Sequence, residues 1–202
     1  NWSGTGIISA TNISTITVNQ PGTFNYTVTN TTNGCSTTGS QVVTQNISTP
    51  SVASAVTGVL NCTLTSVNAS ATTTTTPVSY NWSGVGITSA TNISTITVNQ
   101  PGTFNYTVTN TSNGCSIGGS QTVTQNTATP VVTSAVSSVL NCTTTSVNAS
   151  ATTTSTPVSY NWSGTGITSA SNISTITVNQ GGTYNYTVTN TSNGCRTIGT
   201  QA

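Results

Sequence analysis

Apolar and polar side chains alternate along this chain with a period of two. Val78, Tyr80 and Trp82 alternate with Ser79, Asn81 and Ser83. Phe104, Tyr106 and Val108 alternate with Asn105, Thr107 and Thr109, and Ile96 and Val98 with Thr95 and Thr97. Val67, Ala69 and Ala71 alternate with Asn68 and Ser70. This is the pattern of a half-buried antiparallel strand, one face in the core and one in water. No segment shows a helical period, and the filling residues Thr, Asn, Ser and Gly are poor helix formers. Turn signals separate the runs: Pro101-Gly102 suits a type II turn and Asn113-Gly114 a tight hairpin. The apolar positions predict a core of Tyr80, Trp82, Phe104 and Tyr106, repeated as Tyr160, Trp162, Tyr184 and Tyr186.

The pattern itself repeats. NWSG stands at 1, 81 and 161, a period of 80 residues, and residues 1–80 differ from 81–160 at only 14 positions. Ten of these lie within 31–60. The period exceeds the 20–50 residues of a solenoid repeat and suits a small β-sandwich with a short linker. The variable stretch TQNTATPVV, 124–132, reads as that linker. It sets domains at 49–128 and 129–202, with 1–48 a partial domain lacking its first two strands. The chain then reads as a window on a longer array.

Composition narrows the chemistry. The only ionic side chain among 202 residues is Arg196, with no Asp, Glu, Lys or His. General acid–base catalysis needs a group that titrates near working pH, and a hydroxyl nucleophile needs an adjacent base. Calcium and magnesium want carboxylates, and five singly scattered cysteines make no zinc pattern. One arginine cannot neutralise a phosphate backbone. No enzyme, no cofactor, no metal and no nucleic-acid partner are therefore expected. No 18-residue apolar run spans a membrane. Thr, β-branched, favours ordered strands over the disorder that such polarity otherwise suggests.

Several motifs have a bland and a sharp meaning. Asn-x-Ser/Thr sequons, among them Asn81, Asn92, Asn105 and Asn110, are candidate glycosylation sites, but this composition produces most of them by chance. Trp82 and Trp162 could stack on sugars, yet a Trp alternating with Tyr and Val on a strand reads as core. Thr95/Thr97 and Thr107/Thr109 suggest an ice-binding array, but an 80-residue period gives no flat, closely repeated surface. Arg196, which replaces Ser36 and Ser116, reads as a tolerated loop variant.

The order LNC, SVNASA, VSYNWSG, ISTITV, PGTFNYTVTN, NGC resembles the immunoglobulin-like, PKD-like tandem repeats of large surface adhesins and gliding-associated proteins in Bacteroidota. The resemblance covers nearly the whole period. It implies an all-β chain of tandem immunoglobulin-like β-sandwiches of about seven strands each, extracellular or surface-attached. The implied role is a stalk, adhesin or filament. Its partners would be neighbouring repeats and lateral copies of itself, with direct glycan or ice binding as the alternative. Asn110, Asn113, Asn190 and Asn193 stand where that family often carries acids, so calcium-stiffened junctions are not expected here.

Cys35, Cys62, Cys115, Cys142 and Cys195 remain. In an oxidising exterior, disulfides are their default fate. Two pairings are open. Cys62–Cys115 and Cys142–Cys195 lie within a domain and leave Cys35 over. Immunoglobulin topology puts Cys62 and Cys115 at opposite ends of the sandwich, separated by a strand of about seven residues, or more than about 20 Å. A disulfide needs Cα atoms within about 7 Å. The other pairing, Cys62–Cys195, staples one domain to the next, with Cys35 and Cys115 matched to repeats before Asn1 and Cys142 to one after Ala202.

Overall fold

A computed structural model describes residues 1–202, with 17 strands and no helix. The chain divides into two compact units, residues 1–49 with 111–115, and residues 50–110 with 116–202.

The first unit holds one antiparallel sheet, β1 (Trp2–Ser3), β2 (Gly22–Thr29) and β3 (Ser36–Val43), in the order β1-β2-β3.

The second unit begins with β4 (Val52–Val56), β5 (Leu60–Asn61), β6 (Val67–Thr73) and β7 (Val78–Ser83). It continues with β8 (Thr95–Val98), β9 (Gly102–Asn110), β10 (Ser116–Val123) and β11 (Gln125–Asn126). One sheet is β4-β6-β8 and the other β10-β9-β7, while β5 runs parallel to β11. Since β10 and β11 are one run interrupted at Thr124, the strands number seven. Their distribution between two sheets is that of an immunoglobulin-like sandwich. The pattern recurs in β12 (Thr133–Val136), β13 (Val147–Thr152), β14 (Val158–Ser163), β15 (Thr175–Val178), β16 (Tyr184–Asn190) and β17 (Arg196–Gln201). Here the sheets are β12-β13-β15 and β14-β16-β17. Each sandwich of this unit has its own core. The first gathers Leu60, Val67, Trp82, Ile96, Phe104 and Val108, the second Val147, Trp162, Ile176, Tyr184 and Val188.

Alternation dictates these cores. Val67, Ala69 and Ala71 are buried and Asn68 faces out. The small Ala side chains leave room for Trp82, whose indole N–H donates to the Ile93 carbonyl at 2.9 Å and whose ring meets Tyr106 with centroids 5.1 Å apart. The same Trp–Tyr pair stands at 5.0 Å in the first unit and 5.2 Å in the last sandwich. Tyr106 pairs with Gly119 across the ladder. A Cβ on Gly119 would stand 2.4 Å from the phenol oxygen, so the glycine is what lets the ring lie across β10. Tyr184, which replaces Phe104, hides its hydroxyl by donating to the Thr165 and Gln180 carbonyls, both at 2.7 Å.

Residues 9–30 and 89–110 are identical in sequence but not in structure. Thr95–Val98 is a strand because β6 pairs with it, whereas 15–18 form only the Ile7–Val18 bridge. Val108 is wholly buried, but Val28 is 58% exposed. Val123 is 1% exposed, but its counterpart Val43 is 38% exposed. The first unit has no counterpart of the β4-β6-β8 sheet to cover this face. Full burial of one such side chain contributes about 1.5–3 kcal/mol, of which Val28 forgoes more than half and Val43 the smaller part.

Candidate functional site: a disulfide and amide junction

Cys62 lies in the loop between β5 and β6. Asn61 shapes that loop: its side-chain oxygen accepts from the Thr63 and Leu64 amides at 2.9 and 2.7 Å and from the Thr63 hydroxyl at 2.9 Å. Asn141 does the same for Thr143 and Thr144, which gives Cys142 an equivalent loop.

Cys195 lies at the end of the turn between β16 and β17. This turn is wider than the tight hairpin expected from Asn-Gly. The Gly194 amide donates to the Asn190 carbonyl and the Asn190 amide to the Cys195 carbonyl, both at 2.8 Å. Such a loop closes like the end of a helix, with a left-handed residue after a turn. Gly194 takes that role at φ +71°, and a Cβ there would come within 2.3 Å of the Thr63 side chain. The expected signal was right about glycine and wrong about loop length, because the Asn190 side chain, accepting from the Ser192 amide, props the extra residues.

Cys62 and Cys195 form a disulfide, with Cα atoms 5.1 Å apart and a sequence separation of 133. It joins the loop of one sandwich to the turn of the next. Asn193 completes the junction. Its amide nitrogen donates to the Asn126 side-chain oxygen at 3.0 Å and to the Ala128 carbonyl at 2.9 Å, both in the linker. Its side-chain oxygen accepts from the Cys195 amide at 3.0 Å, and its backbone carbonyl accepts from the Cys62 amide at 3.1 Å. Both amide hydrogens are used at a residue only 2% exposed. A carboxylate could not replace it, since it has no hydrogens to donate and would face two acceptors. The amide clamp recurs in the first unit, where Asn113 donates to Asn46 and to the Ser48 carbonyl, both at 3.0 Å. Cys115 there is half-buried and unbonded, and Cys35 and Cys142 are exposed and unbonded.

The remaining sequence-chosen residues fall elsewhere. Trp82, Phe104, Trp162, Tyr184 and Tyr186 are buried. Tyr80 and Tyr160, expected in the core, pack against it and are half-buried. Tyr106 is also half-buried, its ring lying over Gly119. With both tryptophans of the closed sandwiches 3% exposed, neither offers a face to a sugar. Asn81, Asn92 and Asn105 are exposed, but Asn110 is buried and cannot present its amide to a glycosylating enzyme. Thr95 and Thr97 are half-buried, and Thr97 donates to Asn68 across the sheet, so they form no flat outward array. Arg196 is exposed and opens strand β17 instead of sitting in a loop. The junction amides were missed because their partners lie 65 and 67 residues away. The available signal was Asn46/Asn126 and Asn113/Asn193 staying fixed while 47 and 48 vary.

No protein-family model matches the chain, and no curated protein does. Among solved structures it is similar to the N-terminal eight Ig domains of Down syndrome cell adhesion molecule. There the TM-score is 0.48 at 13% identity over 92% of this chain and 31% of that one. It is also similar to a C-terminal fragment of intimin solved with the intimin-binding domain of the translocated intimin receptor. That match has a TM-score of 0.39 at 13% identity over 75% of this chain and 64% of that one. The chain thus spans about a third of the first and under two thirds of the second. Its class follows from its own strand order and junction: tandem immunoglobulin-like sandwiches, two of them covalently joined. No helix is long and apolar enough to cross a membrane.

Proposed function

We propose that this chain is a structural repeat segment of an extracellular stalk, adhesin or filament, whose work is mechanical linkage rather than chemistry. The observation that carries the reading is the Cys62–Cys195 disulfide, placed between sandwiches and not within one. A disulfide persists in oxidising surroundings, which supports a secreted or surface location. The junction needs neither calcium nor ion pairs, so salt and chelators leave it untouched. The resemblance of the repeat to those of bacterial surface adhesins supports the same reading. The partners are neighbouring repeats of the same chain and lateral copies of it, since near-zero charge removes the repulsion that keeps chains apart. Immunogold labelling of the source cells with antibodies to one repeat tests this. Gold along thin extracellular fibres is expected, and gold confined to the cell interior overturns it. A single repeat on a glycan array and in an ice-recrystallisation assay should be silent in both.

A further inference from the structure

The junction is built around a chemically labile pair, Asn193-Gly194. An asparagine followed by glycine deamidates readily, because no side chain screens the glycine nitrogen that attacks the asparagine side chain. Here the junction itself demands both residues. Gly194 stands at φ +71°, and a Cβ on it would collide with the Thr63 side chain in the loop of Cys62, so only glycine fits. Asparagine is demanded because Asn126 and Ala128 take both amide hydrogens of Asn193.

The closed junction holds the reaction off. The Gly194 amide donates to the Asn190 carbonyl at 2.8 Å, so its nitrogen is not free to turn on Asn193. The Asn193 side chain is fixed at both ends, its nitrogen by the linker and its oxygen by the Cys195 amide. At 2% exposure the residue is shut off from the hydroxide that must take the Gly194 proton. No side chain can act as base instead, since the chain has no Asp, Glu, Lys or His. The Cys62–Cys195 bond ties this turn to a loop of the other sandwich. Cys62 is exposed and Cys195 wholly buried, so a thiol reaches the bond from the Cys62 side.

We infer that Asn193 is a self-modification site gated by this disulfide, and that its deamidation makes opening of the junction irreversible. A dithiol supplies the reduction. One of its thiolates attacks the Cys62 sulfur, and Cys195 leaves with the electron pair and takes up a proton. The second thiol then closes on the first, which releases Cys62 as a thiol and the reductant as a cyclic disulfide. Freed from the loop, the turn opens locally. Hydroxide takes the Gly194 amide proton, and the nitrogen bonds to the side-chain carbon of Asn193. Ammonia leaves with a proton from water, which restores the hydroxide. Water then adds to either carbonyl of the succinimide and opens it to Asp or isoaspartate. Either product disables the clamp. An aspartate has no hydrogen to give Asn126 or Ala128, and isoaspartate adds a methylene to the main chain just before Cys195. The inference rests on the junction being the mechanical link proposed above. It does not depend on where the chain resides, which the microscopy tests separately.

The test incubates the whole chain under native conditions at mildly alkaline pH, with and without a dithiol. Peptide mapping by mass follows replacement of –NH2 by –OH at Asn193 and at Asn33, an exposed Asn-Gly-Cys whose cysteine is unbonded. Asn193 should deamidate at least about tenfold faster with the dithiol, because losing the cross-link frees the turn to open. Asn33 should keep one rate in both. Cys62→Ser should deamidate at Asn193 at the reduced rate with no dithiol present. In the reduced chain the rate at Asn193 should rise in proportion to hydroxide. Amide exchange across 147–190 should stay slow there, and fast exchange would overturn the inference by making deamidation a consequence of unfolding. After the dithiol is removed and the chain re-oxidised, chains with Asn193 intact should regain the Cys62–Cys195 bond and deamidated chains should not. Equal rates at Asn193 in the two redox states, or equal rebonding of intact and deamidated chains, overturns the inference.

Discussion

Replacing Asn193 by Asp would keep the shape of the side chain and reverse its hydrogen-bonding sense. Asn193 gives both amide hydrogens to Asn126 and Ala128 and is 2% exposed. A protonated Asp has one hydrogen where two are needed, so it forfeits about one net hydrogen bond, or about 1 kcal/mol. An ionised Asp leaves an unpaired buried charge against two acceptors, which costs about 3–5 kcal/mol. The gap of roughly 2–4 kcal/mol corresponds to a folded-state acidity weakened by about two pKa units, at 1.36 kcal/mol each. The sign follows by linkage. With the folded pKa raised above the unfolded value of about 3.9, the folded state holds the proton longer. The variant is then least perturbed at pH 3.5, loses stability as pH rises, and levels off above the raised pKa. The native chain provides a flat baseline, because no side chain of its composition ordinarily titrates between about pH 4 and 7. Calorimetric melting from pH 3.5 to 8 reads this directly. For a sandwich of this size, about 1 kcal/mol is worth roughly 4–8 °C. Asn193→Asp should melt more than about 10 °C below the native chain at pH 7 and less than half as far below at pH 3.5. Asn113→Asp, at a half-exposed position, should show a smaller version. A variant that tracks the native melting temperature within about 2 °C at every pH would mean the amide clamp does not hold the junction.

Thiol titration of the native chain should count three reactive cysteines, Cys35 and Cys142 before the half-buried Cys115, and five after denaturation and reduction. Trp82→Ala should cost its sandwich about 3–5 kcal/mol in thermal unfolding, whereas Trp2→Ala, in the open unit, should cost well under half of that. Trypsin acting on the reduced, unfolded chain should yield two fragments divided after Arg196, and a longer ladder would contradict the sequence.

The strands were legible because burial on one face writes a period of two directly into neighbouring residues. Val67-Asn-Ala-Ser-Ala and Phe104-Asn-Tyr-Thr-Val need no distant information. Alternation placed Tyr80 on the core side, where it packs against the cluster half-buried, but alternation says which face a residue takes and not how deeply it is buried. The disulfide was legible only as two alternatives, since spacing alone ranks neither and the choice depends on which sandwich end each cysteine occupies. The clamp was legible only in part, through the asparagines at 46, 113, 126 and 193 that stay fixed from repeat to repeat. Asn193 grips a carbonyl at Ala128, and a backbone acceptor leaves no trace in side-chain identity, which is why Ser48 and Ala128 are interchangeable there. The segment at 15–18 marks the limit most sharply, because an identical sequence at 95–98 becomes a strand only when a partner strand lies beside it.

The 133-residue reach of the Cys62–Cys195 bond also sets how the chain carries load. Tension applied between the two termini enters at Asn1, runs along the backbone to Cys62, crosses the sulfurs and leaves through the last residues to Ala202. Everything between the two cysteines is outside the load path. At about 3.3–3.6 Å per residue, roughly 450 Å of chain that would otherwise pay out stays locked until the bond is reduced. In a force–extension trace this length should be absent under oxidising conditions and should appear as added extension once a reductant is supplied. The redox state of the surroundings would then determine how far the segment stretches.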